Sequence, residues 1–116
     1  MTRQLDVTIR EEQIRVVVVE PRGWIDTFTV GPLREQLDAL LDAGQTNLVI
    51  DLSGVTFLDS AGMAAFVSVY KRTRQAGGDT HLVWPQEEAV RRILRLTSFD
   101  RVFTMFDTAE NAVRGF

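Results

Sequence analysis

Few side chains in this sequence are suited to chemistry, and they do not assemble into a catalytic set. Cysteine is absent and histidine occurs once, as His81. Thiolate nucleophiles, thiol redox pairs and cysteine-type zinc sites are therefore excluded. A hydrolytic triad needs a nucleophile, a base and a group that orients the base. His81 is the one imidazole, and it lies beside the apolar run Leu82-Val83-Trp84. It reads as an outward-facing or hydrogen-bonded strand histidine. Neither G-x-x-x-x-G-K-[ST] nor G-x-G-x-x-G occurs, so no nucleotide-cradling loop is expected. The sequence reads as a non-enzyme. Asp59-Ser60-Ala61-Gly62 is the most informative short segment. It falls where a loop turns into a helix, and the first backbone N–H groups of a helix need acceptors. Ser60 fits an N-cap, and a hydroxyl at such a junction is also placed to be accessible and to carry phosphate. The two readings are compatible.

Two basic clusters stand apart from that segment: Lys71, Arg72 and Arg74, then Arg91, Arg92 and Arg95. Cations near a helix C-terminus complement its dipole, and others on a polar helix face are simply solvated. Partner contact by either cluster is the competing reading, since complementary charge steers association.

The elements that must position these residues follow from periodicity. Leu5, Val7 and Ile9 alternate with polar neighbours as in a half-exposed strand, whereas Ile14 and Val16 to Val19 predict a strand buried on both faces and ended by Pro21 and Gly23. Gly31-Pro32 suits a helix start, and Leu33, Leu37, Leu40 and Leu41 keep helical spacing until Gly44. Leu48 to Leu52 predicts a central strand. Ser53-Gly54 then opens a loop carrying Val55, Phe57 and Leu58. A second helix follows, with Met63, Phe66, Val67 and Tyr70 turned inward and Gly77-Gly78 as its stop. Leu82 to Trp84 is a further strand, and Val90, Ile93, Leu94 and Thr97 line a third helix. Val102-Phe103 suggests a last short strand, and a terminal helix is capped by Thr108 or Asp107. Strand-helix-strand repetition calls for parallel pairing with right-handed crossovers, hence an α/β sheet packed with helices.

Composition agrees with one ordinary domain over residues 1–116: 45% hydrophobic and 25% charged. With 13 Lys and Arg against 16 Asp and Glu, the net charge of -3 argues against nucleic-acid binding through bulk electrostatics. The opening MTRQLDVTIREEQ lacks the features of an export signal, and no apolar run approaches the roughly 18 residues of a membrane span. A cytoplasmic location is the expectation.

Two stretches resemble the STAS-domain anti-sigma-factor antagonists, and the similarity extends over nearly the whole chain. Gly23-Trp24-Ile25-Asp26 resembles the family's Gly-x-Leu-Asp after the second strand, and Asp51 to Gly62 resembles its strand, loop and phosphorylation segment. The resemblance implies a STAS-like mixed sheet of about four or five strands packed with about four helices, consistent with the alternation above. It implies a switch in which the unphosphorylated protein binds an anti-sigma factor that is also a serine kinase, freeing a sigma factor for transcription. Phosphorylation reverses this, and a phosphatase reactivates the antagonist. Ser60 would be the phosphoacceptor, Asp59 its acidic neighbour, Gly62 the small residue of the first helical turn and Asp26 a carboxylate on a nearby loop. Together with Trp24 and Ala61 they make up the partner-binding set. No cofactor belongs to this chain, because ATP and Mg²⁺ would be the kinase's. Two departures stand out: Ala61 replaces a second hydroxyl residue, and Trp24 replaces a residue that is usually polar. Its ring is either a lid over the loop or a partner contact. The family also implies an alternative, a scaffold subunit of a stress-sensing complex or of a lipid-transport ATPase, with Ser60 only a helix cap.

Overall fold

The computed structural model describes residues 3–12 and 15–116; Ile14 of the predicted second strand lies outside them. Six strands form one sheet in the order β1-β2-β3-β5-β6, with β4 on β2 beyond the end of β3. β1 (Leu5–Glu11) and β2 (Val17–Ile25) are an antiparallel pair, and every other pairing is parallel. The valine run has the predicted two-faced burial. Val17 and Val19 enter the larger core, while Val18 packs with Val49, Val83, Ala112 and Val113 on the opposite face.

β2 does not stop at Pro21 and Gly23. β3 (Asn47–Asp51) pairs with Val17 to Val19, and β4 (Val55–Leu58) takes over at Gly23. Pro21 falls between the two, where its missing N–H leaves no ladder bond unmade. Gly23 adopts φ +108°, and a Cβ there would stand 2.4 Å from the Gln4 carbonyl oxygen. Only glycine fits this bend. The expected loop after Ser53-Gly54 is likewise corrected, since four of its residues form β4. The sheet thus has one or two more strands than expected.

Helix α1 (Val30–Asp42) buries Leu33 and Leu37 completely and packs Leu40 and Leu41 at the edge of the core. Helix α2 (Ser60–Gln75) buries Gly62, Ala65, Phe66, Val69 and Thr73, with Met63, Val67 and Tyr70 half-buried beside them. The inward stripe is therefore rotated slightly from the predicted one, because Gly62 and Ala65 let the helix approach the sheet closely. Arg72 reaches across to Asp38 and Asp42 of α1 at 3.2 and 2.8 Å, and its hydrogen bond to Asp42 raises its pKa above the ordinary guanidinium value. That member of the first basic cluster joins two helices.

After β5 (Asp79–Val83), α3 (Glu88–Leu96) lays Val90 and Leu94 into the core. Arg91 covers the Trp84 ring at 4.9 Å and donates to the Pro85 carbonyl at 3.2 Å. The predicted strand at Val102-Phe103 is corrected. A one-turn helix, α4 (Phe99–Val102), precedes β6 (Thr104–Phe106), and Phe103 is buried against Tyr70 and Phe99. Helix α5 (Ala109–Arg114) covers the second sheet face, and Thr108 rather than Asp107 is its cap, accepting from Asn111 N–H at 3.1 Å. Five helices are present among the described residues, one more than expected. None is long and apolar enough to cross a membrane.

Candidate functional site

The parallel strands β2 and β4 end side by side, with Ile25 paired to Leu58. The next residues are Asp26 and Asp59. Register thus brings together two segments that are 33 positions apart in sequence, and the side chains of both aspartates organise the loops that leave the strands.

Asp59 is the N-cap of α2. Its Oδ1 accepts from Ala61 N–H at 2.9 Å and from Gly62 N–H at 3.3 Å. Its Oδ2 accepts from Thr27 N–H at 3.1 Å, tying the helix start to the loop after β2. The expectation that Ser60 is the cap is therefore corrected. β4 continues to Leu58, which leaves Asp59 in the extended conformation a cap requires and Ser60 as the first helical residue. Ser60 is exposed, and its hydroxyl is not needed by the cap.

Asp26 sits inside, 5% exposed. Its Oδ1 accepts from Phe28 N–H and Thr29 N–H at 2.9 and 3.0 Å, and its Oδ2 lies 3.1 Å from the Arg3 guanidinium. A buried carboxylate needs such compensation. Thr29 locks the turn further, accepting from Asp26 N–H at 2.9 Å and donating to the Trp24 carbonyl at 2.8 Å. Asp26 shapes the loop; the groups the loop presents outward are Thr27 and Phe28.

Gly62 is buried under α2, where a Cβ would come within 2.6 Å of both Ile25 and Leu58 side chains. It sets how closely the Ser60 end of the helix sits on the strand ends. Ala61 is half-buried next to it. Trp24 is half-buried and stacks on Phe57 with centroids 4.8 Å apart, while Arg3 spans the Trp24 and Phe28 rings at 5.5 and 5.1 Å. Phe28 is 78% exposed, above a cavity of about 240 Å³ lined by Leu5, Val7, Pro32, Leu33 and Gln36. Beside the loop that Thr27 ties to Asp59 at the start of α2, Trp24, Phe57 and Phe28 thus form an aromatic shelf with a guanidinium laid across it.

Sequence reasoning missed Arg3, Thr27, Phe28 and Phe57. The one signal available for Phe28 was a large apolar residue that fits no apolar period. His81 is buried as a strand histidine, its Nδ1 2.8 Å from the Ala112 carbonyl and its ring stacked on Phe116 at 3.8 Å and near Phe106.

The STAS domain family model matches residues 7–112. An anti-sigma-B factor antagonist of Bacillus subtilis is 30% identical over 115 residues, 99% of this chain and 98% of that one. A Thermotoga maritima protein is 34% identical over 76 residues, 66% of each chain. Among solved structures, an anti-sigma factor antagonist from Mycobacterium paratuberculosis superposes with a TM-score of 0.86 at 28% identity, covering 97% of this chain and 93% of its own. With a family model spanning most of its length and a relative aligned from end to end, this chain belongs to the STAS domain family.

Proposed function

We propose that this chain is an anti-sigma factor antagonist that works as a protein-binding switch without catalysis of its own. It docks an anti-sigma factor through the surface around Ser60, and so releases a sigma factor for transcription. The partner is also a serine kinase, which carries the ATP and Mg²⁺; it phosphorylates Ser60 and ends the complex, and a phosphatase restores binding. The chain acts as one STAS domain over residues 1–116, in the cytoplasm.

The observation that carries this reading is the division of labour between Asp59 and Ser60. Asp59 satisfies the first free N–H groups of α2, so the Ser60 hydroxyl is exposed and free to be modified. The capping role that the scaffold-subunit alternative gives Ser60 is taken by Asp59. Trp24, Phe28, Ala61 and Ser60 supply the contact surface, with aromatic anchors of the type that dominate interfaces; Asp26, Asp59 and Gly62 hold that surface in place.

Magnitudes favour a switch at the surface over a refolding one. Phosphate adds about -1.5 to -2 charge. Because Asp59 already occupies the helix N–H groups, the phosphate is left facing solvent beside a like charge. That repulsion is on the order of 1 kcal/mol at high dielectric, too small to unfold a domain. In the docked complex the same charge is desolvated without a partner, which costs about 2–5 kcal/mol. Titration of the Ser60→Asp and Ser60→Ala variants against the anti-sigma factor tests this. Ser60→Asp is expected to bind at least tenfold more weakly with its fold intact, and Ser60→Ala to bind like wild type. Equal affinities for the two, or loss of binding only through unfolding, would overturn the reading.

A further inference from the structure

The two edges of the sheet are built differently. β6 is three residues long, which leaves little free backbone, whereas β1 runs for seven residues without proline, glycine or a bulge, its charges being Asp6, Arg10 and Glu11. Long regular edges are templates for pairing unless they are blunted.

The direction of the free groups on β1 is fixed by β2. Leu5 pairs with Gly23, and Gly23 N–H donates away from β1 to the Gly54 carbonyl at 3.0 Å. Backbone direction alternates along an antiparallel ladder. Asp6, Thr8 and Arg10 therefore bond to β2, and Leu5, Val7, Ile9 and Glu11 turn their N–H and C=O groups outward.

We propose that β1 is a homodimerisation edge, at which two copies of this chain pair antiparallel about a two-fold axis through Thr8. In this register Val7 meets Ile9 and Leu5 meets Glu11 of the other copy, so every outward backbone group faces an outward counterpart. Asp6 and Arg10 meet each other twice, as opposite charges in the closer, non-hydrogen-bonded positions. Asp6 is exposed and forms no ion pair among the described residues, while Arg10 lies 2.7 Å from Glu12 and 3.8 Å from Glu20. Ile9, 40% exposed, gains an apolar neighbour in Val7. Parallel in-register pairing would instead set Asp6 on Asp6 and Arg10 on Arg10, so the charge order selects the antiparallel two-fold arrangement. Such an interface is isologous and closed. A single strand pair buries less than the roughly 1,200 Å² of a standard stable interface, so the dimer forms reversibly and its population rises with concentration.

Sedimentation velocity over a concentration series tests the register through charge exchange. Wild type is expected to shift from monomer to dimer as concentration rises towards about 1 mM, the range for a weak interface. Asp6→Arg and Arg10→Asp each replace both attractive pairs by repulsive ones, and each variant alone is expected to lose at least about tenfold in dimer affinity. Mixed in equal amounts, the two variants restore both Arg-Asp pairs and are expected to form a heterodimer. Val7→Pro removes an outward N–H without touching the β2 ladder, and at a concentration where its melt shows it folded despite the lost packing of Val7 on the core it is expected to be monomeric; it decides if a charge variant fails to fold. A wild type that stays monomeric throughout, dimers indifferent to Val7→Pro, or a mixture no more associated than its components would overturn the proposal.

Discussion

Replacing Asp59 by alanine and, separately, Ser60 by alanine distinguishes which residue holds the start of α2. Asp59→Ala removes the acceptor of Ala61 N–H and Gly62 N–H, and of Thr27 N–H on the neighbouring loop. Loss of an N-cap costs about 0.5–2 kcal/mol, and loss of a negative charge at a helix N-terminus about 0.3–1 kcal/mol more. Thr27 is exposed, so water replaces the third bond and adds little. The total is roughly 1–3 kcal/mol. For a domain of this size each kcal/mol moves the melting midpoint by about 4 °C. Asp59→Ala should therefore melt about 4–12 °C below wild type. Ser60→Ala, which removes an exposed hydroxyl the cap does not use, should stay within about 2 °C, the ±0.5 kcal/mol expected of a plain surface change. Asp59→Asn, which keeps one acceptor oxygen for the helix, should fall between them. Calorimetric melts of the three variants at one pH and salt concentration provide the comparison. A Ser60→Ala loss equal to that of Asp59→Ala would refute the assignment of the cap and return Ser60 to a structural role.

Gly62→Ala should destabilise by about 1–3 kcal/mol despite alanine's better helix propensity, because the new methyl would press on Ile25 and Leu58; chemical denaturation reads this directly. Leu37→Ala, at a fully buried site under α1, should cost about 2–5 kcal/mol by the same assay. Phe28→Ala should leave the melt near wild type, since the ring is largely exposed, yet weaken binding to the anti-sigma factor by about tenfold or more, as truncation of an aromatic anchor does. Unchanged affinity in calorimetric titration would remove Phe28 from the docking surface.

The valine run, the α1 leucines and the run Leu48 to Leu52 could be read from sequence because each is a continuous apolar stretch or keeps a clear helical period. β4 could not. Its bulge at Thr56 puts Val55 and Leu58 on the core side and turns Phe57 to Trp24, so the spacing breaks the two-residue alternation that marks a strand. The cap was displaced by one residue for a related reason. Aspartate and serine are both good N-caps, and the choice is made by where β4 ends, which is a tertiary fact. Pro21 and Gly23 looked like stops because the change of partner from β3 to β4 along one edge of β2 has no local signature. The family resemblance singled out Asp26, but its burial beside Arg3 depends on a contact from the segment that leads into β1. Phe28 and Arg3 carry no period at all, and only the fold brings them together with Trp24 on the loop that Thr27 ties to Asp59.

The central claim is that Ser60 is the group whose charge governs docking. Its most direct measurement is site mapping by mass spectrometry after the purified protein is incubated with the proposed anti-sigma factor kinase, ATP and Mg²⁺. A single phosphate on Ser60, absent from the Ser60→Ala variant, is the predicted result. Phosphate on Thr27, Ser53 or Thr56 instead, or retained by Ser60→Ala, would contradict the account.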